Sequence, residues 1–206
     1  MAEYTNDSKE VRGMANVYVN ERSIMLSDDI TEETVGIIIN AILKINQEDG
    51  LKEQIYAEYV RDPIYLYMNT SGGLCYDALG LMDVMATSQT PIYTFAMGKC
   101  MSAGLHIFLA GSQRFCMKNT TFMYHNLSHT LSGIYGKLVE EMEEDMRLEE
   151  RMDEWVMARC KITPKMVSDC KKNKSNLYID AETAKKLLIV NSIIGEKSSI
   201  YPTKKA

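Results

Sequence analysis

Short apolar runs and polar stretches alternate along the chain, and the apolar spacing switches between strand and helix periods. RSIMLS (22–27) predicts a short strand. Over 31–47, Val35, Ile38, Ile39, Ile42 and Ile45 recur at helical spacing, with Thr31 as N-cap and Glu32 and Glu33 in the first turn. Residues 48–62 are mostly charged and predict a surface excursion. IYLYM (64–68) is a fully apolar strand ended by the loop NTSGG, and a helix over about 75–87 puts Leu79, Met82 and Met85 on one face. IYTFAM (92–97) predicts the next strand, followed by the turn MSAG and an apolar helix at about 103–110. RFCM (114–117) and TFMY (121–124) predict short strands, the second running directly into His125. Residues 133–158 predict one long acidic helix striped by Leu138, Met142, Met146, Met152, Trp155 and Val156. Thr163-Pro164 opens a further helix, because proline suits the first helical position. Asp180 caps 181–188, and VNSII closes the core as a strand. Strands separated by helices in this way predict a single α/β domain.

Bulk properties narrow the function. The chain has 206 residues and a net charge of −5, so it lacks the clustered basic surface that nucleic acid requires. The basic group KKNK (171–174) reads as a solvated loop. No apolar run reaches the roughly 18 residues of a membrane span, and the opening MAEYTNDSKEVRG lacks the apolar core of a secretory signal. The five cysteines form no CxxC pair, which speaks against zinc and a disulfide framework and for a reducing cytoplasm. There is no HExxH or carboxylate–histidine cluster for a metal and no glycine-rich phosphate loop, so neither metal nor cofactor is expected.

Two loops carry the candidate chemistry. NTSGG ends one strand and MGKCMSAGL (97–105) carries another into a helix, so both can open on one edge of a sheet. Ser102 then sits at a strand tip as a candidate nucleophile. Gly72 and Gly73 present backbone N–H groups unobstructed by side chains, and Ala103 offers another, as an oxyanion hole requires. The plainer reading is that GG is a turn and the serine a small residue that packs in one. The spacing is not the G-x-S-x-G elbow, because Gly98 stands four residues ahead of Ser102. His125 is the candidate base, with His106 inside an apolar helix and His129 in the following loop as competitors. On residues alone, a serine hydrolase and a structural turn both stand.

The ordered segments RSIMLSDDIT, PIYLYMNTSGG, MGKCMSAGLHIFLAG, RFCMKNTTFMYHN and YIDAETAKKLLIV resemble the ClpP family of caseinolytic serine peptidases over roughly residues 20–195. The resemblance implies a crotonase-like superhelix of ββα units with a protruding helical handle at about 133–158. It also sets polar segments 1–19 and 196–206 outside the peptidase domain. Seven subunits would form a ring, two rings would enclose a chamber as a tetradecamer, and an AAA+ unfoldase would feed it unfolded protein or peptide. Ser102 would be the nucleophile, His125 the general base, and Gly72, Gly73 and Ala103 the oxyanion hole. The third catalytic position falls on Asn176, where the family has aspartate. An amide still orients an imidazole but stabilises imidazolium less, which implies weak or conditional activity. Asp180 and Asp169 are the alternative acids.

Other departures bear on partners. Ser71 replaces the proline before GG, and Lys174-Ser175 replaces a charged pair that helps sense ring-to-ring contact. Residues 49–61 form an insertion, and the first 18 residues do not resemble the axial-pore segment to which an unfoldase docks. The alternatives are a non-catalytic subunit of a mixed ring, a crotonase-fold acyl-CoA enzyme and a specialised phage peptidase.

Overall fold

The computed structural model describes residues 17–128 and 132–195. The first long helix, α1 (Glu32–Ile55), begins where its cap dictates. The Thr31 side chain accepts from the Thr34 N–H at 3.2 Å while the Thr34 hydroxyl accepts from the Thr31 N–H at 2.9 Å. Its apolar face buries Val35, Ile38, Ile42 and Ile45 against a sheet. The first strands of that sheet are β1 (Val17–Asn20), β2 (Ser23–Leu26), β3 (Ile64–Thr70), β4 (Ile92–Met101) and β5 (Gln113–Met117). It is completed by β6 (Thr121–Tyr124), β7 (Leu177–Asp180) and β8 (Ser192–Ile194).

The sheet order is β1-β2-β3-β4-β5-β8, with β2, β3, β4, β5 and β8 mutually parallel and β1 antiparallel at the edge. Strand β3 alternates strictly, burying Ile64, Leu66, Met68 and Thr70 beneath the helices. Each fully buried leucine or isoleucine of this kind contributes about 1.5–3 kcal/mol. The covering helices α2 (Cys75–Thr87) and α3 (Ala103–Leu109) match the expected elements closely. The helices α4 (Tyr135–Arg159), α5 (Pro164–Asn173) and α6 (Ala181–Lys186) follow, with Thr163 and Asp180 capping the last two.

KKNK (171–174), expected as a solvated loop, instead ends α5, with Lys171 paired to Asp153 and Glu149. Four further features depart from the sequence expectation. Strands β1 and β7 are additional, each of only four residues and so too short to stand out by periodicity. Strand β4 continues past residue 97 through a bulge. Met68 pairs with Ala96 and Thr70 with Cys100, so β4 uses four residues where β3 uses two. Gly98 takes φ +64° there, and Asn69 Oδ1 accepts the Lys99 N–H at 3.3 Å. Helix α1 also runs on into the segment expected as a surface excursion. Most of residues 48–62 are exposed, but Asp49 is fully buried. Its carboxylate accepts from Arg22 at 2.9 and 2.6 Å, from Thr90 at 2.7 Å and from Tyr59 at 2.7 Å. Finally, the α4 stripe is buried only in its C-terminal half, at Leu148, Met152 and Val156, whereas Met142 and Met146 are exposed.

Candidate active site

The bulge in β4 lets one strand serve two neighbours. Residues 93–96 pair with β5, and Lys99–Met101 pair in parallel with Thr121–Met123 of β6. Ser102 and His125 therefore emerge from the same edge, just past the Met101–Met123 pair. The Ser102 N–H donates to Met123 O at 2.8 Å, and His125 Nε2 lies 2.7 Å from Ser102 Oγ. Ser102 adopts φ +53°, ψ −128°, a left-handed backbone that a side-chain-bearing residue takes at a cost of about 1–3 kcal/mol. Part burial lowers the pKa of His125, so the imidazole is neutral and ready to accept a proton near pH 7.

The GG loop lies against this turn because β3 and β4 are neighbours. A Cβ on Gly72 (φ +108°) would fall 2.6 Å from Ser102 Cβ, so only glycine permits the approach. Gly73 is held by a bridge to Ile30, through Ile30 N–H to Gly72 O (2.8 Å) and Leu74 N–H to Ile30 O (2.9 Å). The two glycines, read as equivalent from sequence, differ in what they present. The Gly72 N–H is bonded to Thr70 Oγ1 at 3.1 Å, while Gly73 lines the cleft with Ser102 and Ala103.

Strand β7 returns antiparallel to β6, pairing Tyr124 with Leu177 and so placing Asn176 across from His125. The two line one cavity of about 390 Å³ together with Lys171 and Lys174. Their side chains do not join: Asn176 is exposed, and its Nδ2 donates to Tyr178 Oη at 3.3 Å. Asp180 sits opposite Thr121, at the other end of β6, and accepts the Thr183 N–H at 2.7 Å as a helix cap. Asp169 is exposed on α5. Among the described residues, no carboxylate bonds His125. His106 is buried in α3 and donates Nδ1–H to Ser102 O at 2.9 Å. His129 lies outside the described residues.

Residues that sequence reading passed over stand behind His125. Buried Tyr124 bonds Asp153, and Lys171 bridges Asp153 at 2.5 Å and Glu149 at 3.2 Å. A carboxylate set between Met152 and Val156 on the apolar stripe of α4 was the available signal. The described residues contain no group of three or more potential ligands for a metal ion. No helix among them is long and apolar enough to cross a membrane.

A strained serine bonded to a neutral histidine, beside a glycine-rich strand end, is the arrangement of a serine-type hydrolase. Residues 6–197 match the family model described as Clp protease, and the chain belongs to that family of serine-type peptidases. It is similar to the ATP-dependent Clp protease proteolytic subunit 1 of Rhodopirellula baltica, 23% identical over 86% of this chain and 79% of the relative. Two Prochlorococcus marinus proteins of the same name, from strain MIT 9312 and strain CCMP1986, are 28% and 27% identical over 73% of each chain. The α/β superhelix expected from sequence is the fold of this family, and membership implies assembly into an oligomeric ring.

Proposed function

We propose that Ser102 is the nucleophile and His125 the general base of a peptidase cleaving unfolded chains or peptides, with Gly73 and Ala103 as oxyanion donors. The 2.7 Å contact between His125 Nε2 and Ser102 Oγ carries this reading. As Ser102 Oγ attacks the scissile carbonyl carbon, its proton passes to His125 Nε2 and charge develops on the carbonyl oxygen. Collapse of the tetrahedral intermediate breaks the C–N bond, and the His125 proton goes to the leaving amine. Water, deprotonated by the same nitrogen, then releases the acyl group and restores the serine. Gly72 acts by close approach, holding the Ser102 turn rather than donating. Asn176 occupies the position of the third catalytic residue without engaging the imidazole, so turnover is slow in this conformation.

In the assembly reading, residues 20–195 form one peptidase domain flanked by segments 1–19 and 196–206, with α4 as the handle of a heptamer or tetradecamer. Its N-cap and first half support this: Ile134, Tyr135, Met142 and Met146 are 76, 81, 55 and 69% exposed, an apolar surface of the kind that a partner covers. An AAA+ partner and a cytoplasmic location belong to the same reading. The disengaged Asn176 also favours a second one, a weakly active subunit completed by an active homologue in a mixed ring.

The test is labelling of the purified protein with a fluorophosphonate, mapped by peptide mass, with Ser102→Ala as control. An adduct confined to Ser102 is expected. A folded protein that gives no adduct, alone or mixed with an active homologue, overturns the assignment.

A further inference from the structure

Beside Ser102 and Ala103 the surface opens into a cleft walled by Leu127 and Met152 and bearing His106, Asn126, Glu149 and Asp153. Among the described residues, two buried side-chain polar atoms lack any hydrogen-bond partner, His106 Nε2 and Asn126 Oδ1. Both residues line this cleft. The His106 tautomer is fixed by its neighbour. Ser102 O can only accept, so Nδ1 carries the proton and Nε2 presents a lone pair. Burial, outweighing the opposing pull of the Ser102 and Met152 backbone carbonyls, holds the imidazole pKa down at about 4, so the ring stays neutral at pH 7. His106 is 5% exposed, which seats this acceptor at the base of the cleft.

The carboxylates add charge of one sign. Asp153, 7% exposed, accepts from Tyr124 and pairs with Lys171. Glu149, one turn earlier on α4, shares the same lysine and accepts the Leu127 N–H at 3.3 Å. One ammonium thus faces two carboxylates, and the cleft keeps a net negative charge. An aliphatic side chain entering it would leave both buried acceptors unpaired and the surplus negative charge unanswered, whereas a cationic one brings donors to them. A lysine side chain meets both demands: its methylenes lie along Met152 and Leu127 while its ammonium donates to the acceptors at the base.

We infer that this cleft selects substrates with a cationic residue, lysine above all, immediately before the scissile bond. The inference rests on Ser102 being the nucleophile, and the experiment separates the two. The intact protein is treated with three phosphorus reagents, each forming a Ser102 Oγ–P bond as a fluoride or phenoxide leaves and the serine proton passes to His125. They are a simple fluorophosphonate and two peptidyl diphenyl phosphonates differing only in a lysine-like or leucine-like side chain at the first position. The lysine-like reagent should label Ser102 faster by at least about tenfold, the scale of discrimination one side-chain contact supplies. Glu149→Gln, a change at the partly exposed rim, should reduce that ratio severalfold. Fluorophosphonate labelling with equal or faster reaction of the leucine-like reagent overturns the specificity inference and leaves the nucleophile in place. Failure of all three reagents on folded protein removes the nucleophile assignment, and this inference with it.

Discussion

At the N-terminal ends of β2, β3 and β4, Asp49 is fully buried and each of its oxygens is bonded, by Arg22, Thr90 and Tyr59. At the C-terminal ends of β3, β4 and β6, the polar groups are arranged in the opposite sense. There Ser102 is held at a positive φ, and His106 Nε2 and Asn126 Oδ1 are buried without partners. The same parallel sheet thus carries a closed polar cluster at one edge and an open one at the other. Satisfied groups hold a fold together, whereas groups left open beside a cleft are available to a ligand. The closed edge also accounts for the path of the segment that follows α1. Its charged residues fold back so that Tyr59 and Asp49 meet, and Arg61 pairs with Glu53 at 2.6 Å.

The sharpest way to test this contrast is to close the open edge. Asn176→Asp puts a carboxylate across from His125, in a cavity where Lys171 and Lys174 favour its ionised form. Loss of that carboxylate costs serine proteases about 10⁴ in turnover, so peptide hydrolysis should rise here by about 10² or more. The pH profile supplies a second readout. Burial lowers the His125 pKa, so the wild-type rate should climb along a limb centred below about pH 6.5. The new carboxylate stabilises imidazolium, and the limb in Asn176→Asp should move upward. An unchanged rate and profile would place the weakness elsewhere than at residue 176.

Breaking the closed edge comes next in size. Asp49→Asn leaves Arg22 without its counter-charge and should cost about 3 kcal/mol in chemical denaturation. Asp153→Asn should cost roughly 1 kcal/mol, because Lys171 keeps Glu149 and is partly exposed. Equal losses would erase the distinction between the two edges.

Acid probes the same cluster without mutation. Burial alone would raise the Asp49 pKa, but the bonds from Arg22, Thr90 and Tyr59 outweigh it and hold the carboxyl well below the usual range. A folded pKa below the unfolded value near 3.9 means stabilisation that is complete above that pH and lost as pH falls below it. The urea midpoint should therefore drop below about pH 4 in the wild type, and drop less in Asp49→Asn. The smallest effect concerns strain. Ser102→Gly should raise stability by about 1 kcal/mol by relieving the φ of +53° while abolishing labelling. A loss of stability would mean that packing of the serine outweighs the strain.

Much of this was legible before the fold was known, where local rules act alone. The helix bounds at 75–87, the Thr31 cap and the proline-led α5 follow from spacing and capping, which neighbours in sequence decide. Strand β4 past residue 97 was not, because MGKC breaks the apolar alternation at the very bulge that positions Ser102. Asp49 was hidden for a related reason: a charged residue in a charged run reads as solvated until a partner 27 positions away encloses it.

By itself, the sequence determined the α/β class, the serine turn, the paired glycines and the absence of aspartate at 176, since these are matters of residue identity and local spacing. Tertiary structure alone decided which of them act together. Parallel pairing of β4 with β6 brings His125 to Ser102, and the Thr70 hydroxyl occupies the Gly72 N–H while Gly73 lines the cleft. Packing of α4 over α3 seats Asp153 near His106. Those outcomes depend on strand register and burial, which join residues distant in sequence, and no pattern read along the chain carries them.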